Sequence, residues 1–389
     1  MRRRREDLLV FGAPEIGEAE IASVIEVMRS GWLGSGPRVA AFEEAFARYK
    51  NTGADRVAAV SSCTAALHLS MVAVDLQPGD EVIVPALTFC ATINAIVHAG
   101  AMPVLVDVDP RTMNIDPARV EAAITPRTRA LMPVHFAGRA CDMDALMDIA
   151  ARHSLLVIED CAHAIETTYR GRPAGTLGDF GCFSFYATKN LTTGEGGMVL
   201  AKDVGRIERI KRLALHGLSK DAWRRFGDRG FVHYDAQECG FKYNMMDLQA
   251  AIGLCQLERI EAGWQRRQEI WERYQQSFAP LAVERPAAFD DHSRHGLHLF
   301  TLLIDEAAVG LDRDAFLDRM LDLKIGTGVH YRAIPEHRYY RECFGWRVED
   351  YPNAWHIGRQ TVSLPLSPGL SDEDVESVID AVHEVVGPC

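Results

Sequence analysis

From Arg56 to Leu200 the chain repeats one unit: a short apolar run rich in β-branched residues, followed by a helical pattern. The runs are Val57-Ala-Ala-Val60, Glu81-Val-Ile-Val84, Val104-Leu-Val-Asp107, Ala130-Leu-Met-Pro-Val134 and Leu155-Leu-Val-Ile158. Near-continuous apolar strands are buried on both faces, and strands joined through helices run parallel. The pattern predicts an α/β fold with a largely parallel sheet covered by helices. In such sheets ligands collect beyond the carboxyl ends of the strands. Three runs lead there into residues able to bind or react: Ser61-Ser-Cys-Thr64, Thr88-Phe89 and Glu159-Asp160.

The chain has 389 residues, which predicts two domains. The second half changes character. From Met245 one long helical pattern runs through Gln265-Arg-Arg-Gln-Glu269 to Phe278 and reads as a connector. His298–Ile304 reads as a strand, Asp312–Leu323 as a helix, and Asp372–Val386 as a final amphipathic helix capped by Ser371. A smaller α+β domain fits these elements.

The net charge of -12 argues against nucleic acid as a partner. No apolar run approaches the roughly 20 residues that span a bilayer, so no membrane partner is expected. The basic start, Met1-Arg-Arg-Arg-Arg-Glu-Asp7, leads to a strand-like Leu8–Phe11 with no signal-peptide core and reads as a solvated tail. Nine cysteines are scattered without metal spacing; those in apolar stretches, such as Cys90, Cys182 and Cys255, read as free thiols. A cytoplasmic protein without a metal site is the expectation.

Lys189 stands between the aromatic run that begins at Ser184 and the glycine-rich Gly194-Glu-Gly-Gly197. A confined pocket there would desolvate the amine, lower its pKa and free its lone pair for a Schiff base. Asp160 ends a buried strand, and a carboxylate so placed must be paired or hydrogen-bonded to stay charged. It can pair with a protonated ring nitrogen, or simply cap the next turn. His163, three residues on, reaches the same place. Ser61–Leu67 can turn backbone N–H groups and the Thr64 hydroxyl to a phosphate, or merely cap a helix. Ser184 is a second phosphate donor, and Phe89 is either core or a stacking ring. Phosphate donors, a stacking ring, a carboxylate and a lysine in one α/β domain describe a pyridoxal phosphate (PLP) site.

The chain resembles the DegT/DnrJ/EryC1/StrS sugar aminotransferases, within the aspartate-aminotransferase fold type (fold type I) of PLP enzymes. The resemblance is carried by Gly31–Pro37, Ser62–Leu67, Val84–Phe89, Glu159–Ala164, Ser184–Asn190, Gly194–Gly197, Gly240–Gln249 and Gly326–Tyr331. It implies a large PLP-binding domain, residues 1–262, with a mostly parallel seven-stranded sheet, and a smaller C-terminal α+β domain, residues 263–389. Lys189 then resembles the Schiff-base lysine and proton shuttle, Asp160 the ring-nitrogen partner, Phe89 the stacking ring, and His163 a catalytic neighbour of the ring oxygen. Cys63, through its backbone, Thr64 and Ser184 resemble phosphate ligands. Cys63 stands where relatives often carry glycine, which a backbone contact survives.

Lys242 or Asn244 would reach the phosphate of a neighbouring subunit, which implies a homodimer with shared active sites. Trp32, His330 and Tyr331 are candidates for gripping the substrate, although His330, like His135, reads equally well as structural. The activity implied is transfer of an amino group from glutamate, which leaves 2-oxoglutarate, to a UDP- or dTDP-linked keto sugar, of the 4-keto-6-deoxy or a related type. His216–Trp223 resembles the branch that aminates C4. A cyclitol aminotransferase of the scyllo-inosose type shares these motifs. A sugar dehydratase on this scaffold would carry histidine in place of Lys189. A non-catalytic binding protein would have no need of Lys189 and Asp160.

Overall fold

In a computed structural model, which describes residues 5–219, 235–288 and 292–387, seven strands form one sheet. They are β1 (Val57–Val60), β2 (Glu81–Pro85), β3 (Met102–Val106), β4 (Thr128–Leu131), β5 (Leu156–Asp160), β6 (Phe180–Ser184) and β7 (Gly197–Ala201). Their order across the sheet is β1-β7-β6-β5-β4-β2-β3. β3, β2, β4, β5 and β6 run parallel, and β7 is antiparallel to both β6 and β1. All five expected strands form, and β1, β2 and β7 are buried along their whole length. β4 stops at Leu131, ahead of Pro133, which has no N–H to give a ladder. The strand-like Leu8–Phe11 contributes only an isolated bridge, Leu9 to Ile325, because its apolar residues face two different neighbours.

Helices Cys63–Val72, Cys90–His98 and Met143–His153 follow β1, β2 and β4, so their N-termini open at the carboxyl edge of the sheet. Helices Glu18–Ser30 and Pro37–Tyr49 pack instead on Asp247–Glu258. The long connector is two helices, Asp247–Glu258 and Ile260–Ser277, that meet at Arg259, where φ -105° and ψ 5° leave the helical range. Sequence periodicity runs straight through because the buried positions Gly253, Gln256, Ile260 and Arg267 keep helical steps of three, four and seven residues across the break.

From the second connector helix onward a second core gathers Ile270, Tyr274, Phe300, Phe316 and Val378 around the antiparallel pair Phe300–Leu303 and Thr361–Leu364. Helix Arg313–Asp322 lies inside the expected span, and Asp372–Val386 forms as expected, with Ser371 Oγ accepting from Asp374 N at 3.1 Å. No described helix is long and apolar enough to cross a membrane. The eight described cysteines are free; Cys182 is buried, while Cys90 and Cys255 are partly exposed.

Candidate active site

The carboxyl ends of β1, β2, β5 and β6 meet at a cavity of about 390 Å³. Nine of the predicted site residues line it: Cys63, Thr64, Phe89, Asp160, His163, Ser184, Lys189, His330 and Tyr331. Alternation along β5 sends Asp160 and Glu159 to opposite faces of the sheet. Asp160 forms part of the wall and accepts from Thr92 Oγ1 at 2.9 Å and from Ala162 N at 3.1 Å. Capping of the next turn and facing the cavity are therefore both true of it. Burial lifts its carboxyl above the usual range, against the pull of Ala162 N–H, Thr92 and Lys189. None of its hydrogen bonds among the described residues comes from a cation.

Lys189 follows β6 on a turn closed by its own N–H to Tyr186 O at 2.9 Å. Its Nζ makes no hydrogen bond among the described residues. Burial pushes the amine down to about 8, with Asp160 pulling the other way. Close to neutral pH a useful fraction is unprotonated, and the lone pair has open space before it.

At the other end of the cavity, Ser62 caps helix Cys63–Val72 by accepting from Ala65 N at 3.1 Å. That leaves the Thr64 hydroxyl and the N–H groups of Cys63 and Thr64 for an anion. Ser184 closes the same side. Gly197 serves the backbone rather than a ligand: a Cβ there would lie 2.5 Å from the Ser62 carbonyl carbon and 2.7 Å from Cys63 N. Phe89 is 55% exposed, a large apolar ring turned to the cavity rather than the core. His330 shares both readings, since it lines the cavity and also bonds Ser363 Oγ at 2.8 Å. Burial, and then the Lys189 charge, push it down to about 3.

Trp32, Lys242 and Asn244 lie apart from this cavity. Lys242 Nζ donates to Asn244 Oδ1 at 2.5 Å, Asn244 Nδ2 to Ser35 Oγ at 2.7 Å, and Trp32 Nε1 to Ser35 O at 3.0 Å. These three form a group of their own, with Trp32 and Lys242 exposed and Asn244 half-buried. Of the segment His216–Trp223, residues 220–223 lie outside the described residues, as do Arg2, Arg3 and Arg4 of the N-terminal run. His135 is structural. Its Nδ1 accepts from Cys141 N at 3.1 Å, so Nε2 donates to Glu159 Oε2 at 2.9 Å. Glu159 also accepts from Gly175, Leu177 and Gly178 N–H; burial works against its charge, but the His135 bond first, and then the Gly178 and Gly175 N–H groups, hold its carboxyl below the usual range. His135, Glu159 and Cys161 converge within 4.8 Å, the spacing of a metal site, yet the bonds just named already engage the first two.

Thr92 escaped the sequence reading. Thr88 and Thr92 stand four apart across the start of helix Cys90–His98, and their hydroxyls meet at 2.8 Å. That spacing is a signal, but only a structure shows that Thr92 reaches Asp160. Asn190 was quoted only as the neighbour of Lys189. Its amide bonds Glu166 and Gly296 O, and its oxygen meets His298 Nδ1 at 2.9 Å, which holds the lysine turn from beneath.

Residues 14–383 match the model of the DegT/DnrJ/EryC1/StrS aminotransferase family. The chain belongs to that family. Among family relatives, the spore coat polysaccharide biosynthesis protein SpsC of Bacillus subtilis is 47% identical over 388 residues, 99% of each chain. Spr1654 of Streptococcus pneumoniae, described as a sugar aminotransferase and solved in PLP, PMP and apo forms, is 33% identical; in its PMP form the TM-score is 0.90 over 97% of this chain and 98% of its own. The aminotransferase TlmJ of Streptoalloteichus hindustanus is 35% identical, with a TM-score of 0.88 over 97% and 98%.

The fold is therefore fold type I, and the chain is a PLP-dependent aminotransferase. The cavity fits the cofactor on its own terms. A buried carboxylate without a cationic hydrogen-bond partner and an aromatic ring left bare beside it are both satisfied by a flat, protonated nitrogen heterocycle.

Proposed function

We propose that this enzyme moves the amino group of glutamate to the keto carbon of a UDP- or dTDP-linked keto sugar, of the 4-keto-6-deoxy or a related type. The observation that carries the reading is an unpartnered lysine amine, pushed down to about 8, in one cavity with a buried carboxylate that no cation neutralises. The sugar is supported by two relatives, one named for polysaccharide biosynthesis and one described as a sugar aminotransferase.

In this reading Asp160 holds the ring nitrogen protonated, Phe89 stacks on the ring, and Thr64, Ser184 and the Cys63 N–H hold the phosphate. PLP, when bound, supplies a ring that withdraws electrons from the carbon bearing the amine and so eases loss of its proton. Lys189 does the rest. It would hold the cofactor at rest, and as a free amine near neutral pH it would take the proton from the amine-bearing carbon and deliver it to the carbon on the far side of the nitrogen. Thr92 keeps Asp160 aimed, and Asn190 fixes the turn that carries Lys189. His330 faces the acceptor.

The reading includes a homodimer with shared active sites. It is supported by the hydrogen-bonded group of Asn244 with the exposed Trp32 and Lys242 and by the bare apolar face of Ile21, Ile25 and Met28. It also includes a large domain of residues 1–262, a smaller one of 263–389 built on the second core, and a cytoplasmic location. The test is a two-stage assay. Glutamate alone should bleach the visible band of the loaded enzyme and release 2-oxoglutarate; a panel of UDP- and dTDP-keto sugars should then restore the band with an amino sugar as product. Restoration by cyclitol ketones alone overturns the nucleotide-sugar reading, and a borohydride adduct on any lysine but Lys189 overturns the site.

A further inference from the structure

The polarity of one hydrogen-bond chain in the cavity wall can be worked out from its far end. The turn His135–Gly138 puts Ala137 in the left-handed region, φ 56°, and aims its N–H at His163 Nδ1 at 3.2 Å. A nitrogen that accepts carries no proton. His163 is buried, and burial, followed by the charges of Lys189, His298 and His330, holds it well below the ordinary histidine range. Its ring is neutral, and its one proton is on Nε2. Nε2 lies 3.0 Å from Tyr331 Oη, so His163 donates and Tyr331 accepts.

The phenol's own hydrogen is then left over. Burial, and then Asp160 and Cys90, push Tyr331 above its usual range, so the hydroxyl is intact at neutral pH. Tyr331 has no other hydrogen-bond partner among the described residues, and it lines the cavity. Its ring is fixed by Phe89 at 5.6 Å, by Phe136 at 6.3 Å and by the near-parallel His163 ring at 6.0 Å. The hydroxyl can turn its hydrogen only away from His163, towards the cavity it shares with Asp160 and Lys189.

We propose that Tyr331, not His163, is the hydrogen-bond donor to the phenolic oxygen of the cofactor, with His163 as the positioning residue that fixes the direction of the Tyr331 O–H. The inference rests on the cofactor site described under Proposed function. It changes the part played by His163: its proton is committed to Tyr331, and its effect on the reaction passes through that hydroxyl. The chain Ala137 N–H to His163 to Tyr331 allows one direction only, because a backbone N–H cannot accept.

A donor to a phenolic oxygen stabilises its ionised form, so removing the donor makes the bound chromophore hold its proton to higher pH. The experiment is a pH titration of the visible absorbance of loaded enzyme, without substrate. Tyr331→Phe should raise the midpoint by about one unit, the scale of one lost charge-assisted hydrogen bond. His163→Phe should give part of that rise, and His163→Gln, whose amide can still donate to Tyr331, should return most of it. KM for the keto sugar should stay within about twofold in Tyr331→Phe while kcat falls.

An unmoved midpoint with a raised KM would place the Tyr331 hydroxyl on the sugar instead and overturn the proposal. An unmoved midpoint and unmoved KM would leave Tyr331 as packing and overturn it equally. A midpoint that moves in His163→Phe but not in Tyr331→Phe would return the donor's part to His163. If the unaltered enzyme mixed with PLP shows no visible band at any pH, the cofactor site itself fails, and that outcome is seen before any variant is made.

Discussion

Lys50 and Lys189 are both taken out of water, and burial pushes both amines down to about 8. Lys50 lies beneath the sheet, 1% exposed. Its Nζ donates to Ile165 O at 2.7 Å and Ala174 O at 3.1 Å and sits 4.4 Å over the Phe183 ring. Lys189 has no such partners and opens on the cavity. The same shift thus accompanies two different states: an amine whose hydrogens are spoken for, and one whose lone pair has room to attack. A depressed lysine pKa reports desolvation; reactivity depends on what stands in front of the nitrogen.

Substitution should separate the two. Lys189→Ala should lower amino transfer by about a thousandfold or more, the order lost with a positioned acid–base group. Its unfolding transition should barely move, since no hydrogen bond of Nζ is lost. Lys50→Ala should do the reverse. Two buried carbonyls lose their donor and a cavity opens, which costs about 3 kcal/mol in urea unfolding, while the folded fraction keeps its transfer rate within a few-fold. A Lys50 variant that stays as stable as the parent but loses its rate breaks the comparison.

That contrast also marks how far the sequence could be read. The parallel sheet was legible because β1, β2 and β5 are buried on both faces, which leaves continuous apolar runs. Asp160 and Lys189 were legible because a carboxylate and an amine are out of place at the ends of such runs. Lys50 was not. It follows Tyr49 at the end of a surface-patterned helix, and nothing local shows that Ile165 and Ala174, more than a hundred residues on, will enclose it. Thr92 was lost for the same reason, since its hydroxyl acts on a residue 68 positions away. His163 was found, but the direction of its proton depends on Ala137, which only the folded turn brings near. The division of the connector at Arg259 was hidden because it leaves the apolar stripe intact.

The pH response sharpens the same pair. The neutral amine is the reactive form, so labelling of Lys189 by an acylating reagent in the apoenzyme should rise through about pH 8 and level off above it. At pH 7 about a tenth of it is neutral, a few hundredfold more than for an ordinary lysine. Lys50 should stay unlabelled while the protein is folded, although its shift is the same. Asp160→Asn should move the Lys189 midpoint down, because the carboxylate is a charge that favours the ammonium form. A midpoint that rises in that variant would mean the two groups do not face each other.

The smallest effect belongs to the carboxylate's own support. Thr92→Val removes the hydroxyl that donates to Asp160 Oδ2 at 2.9 Å and keeps the shape of the side chain. Asp160 is buried as Lys50 is, but only two of its hydrogen bonds come from well-formed N–H or O–H donors, and the third contact, Cys63 Sγ at 4.0 Å, is weak. Losing one of the two should raise its pKa further and weaken its hold on a protonated ring. The cofactor's Kd should rise about fivefold, the equivalent of one hydrogen bond of about 1 kcal/mol, and Thr92→Ser should restore it. If the valine variant binds PLP as tightly as the parent, the cofactor itself satisfies Asp160. The carboxylate then resembles Lys189, waiting for its partner, more than Lys50, which folds with its partners already in place.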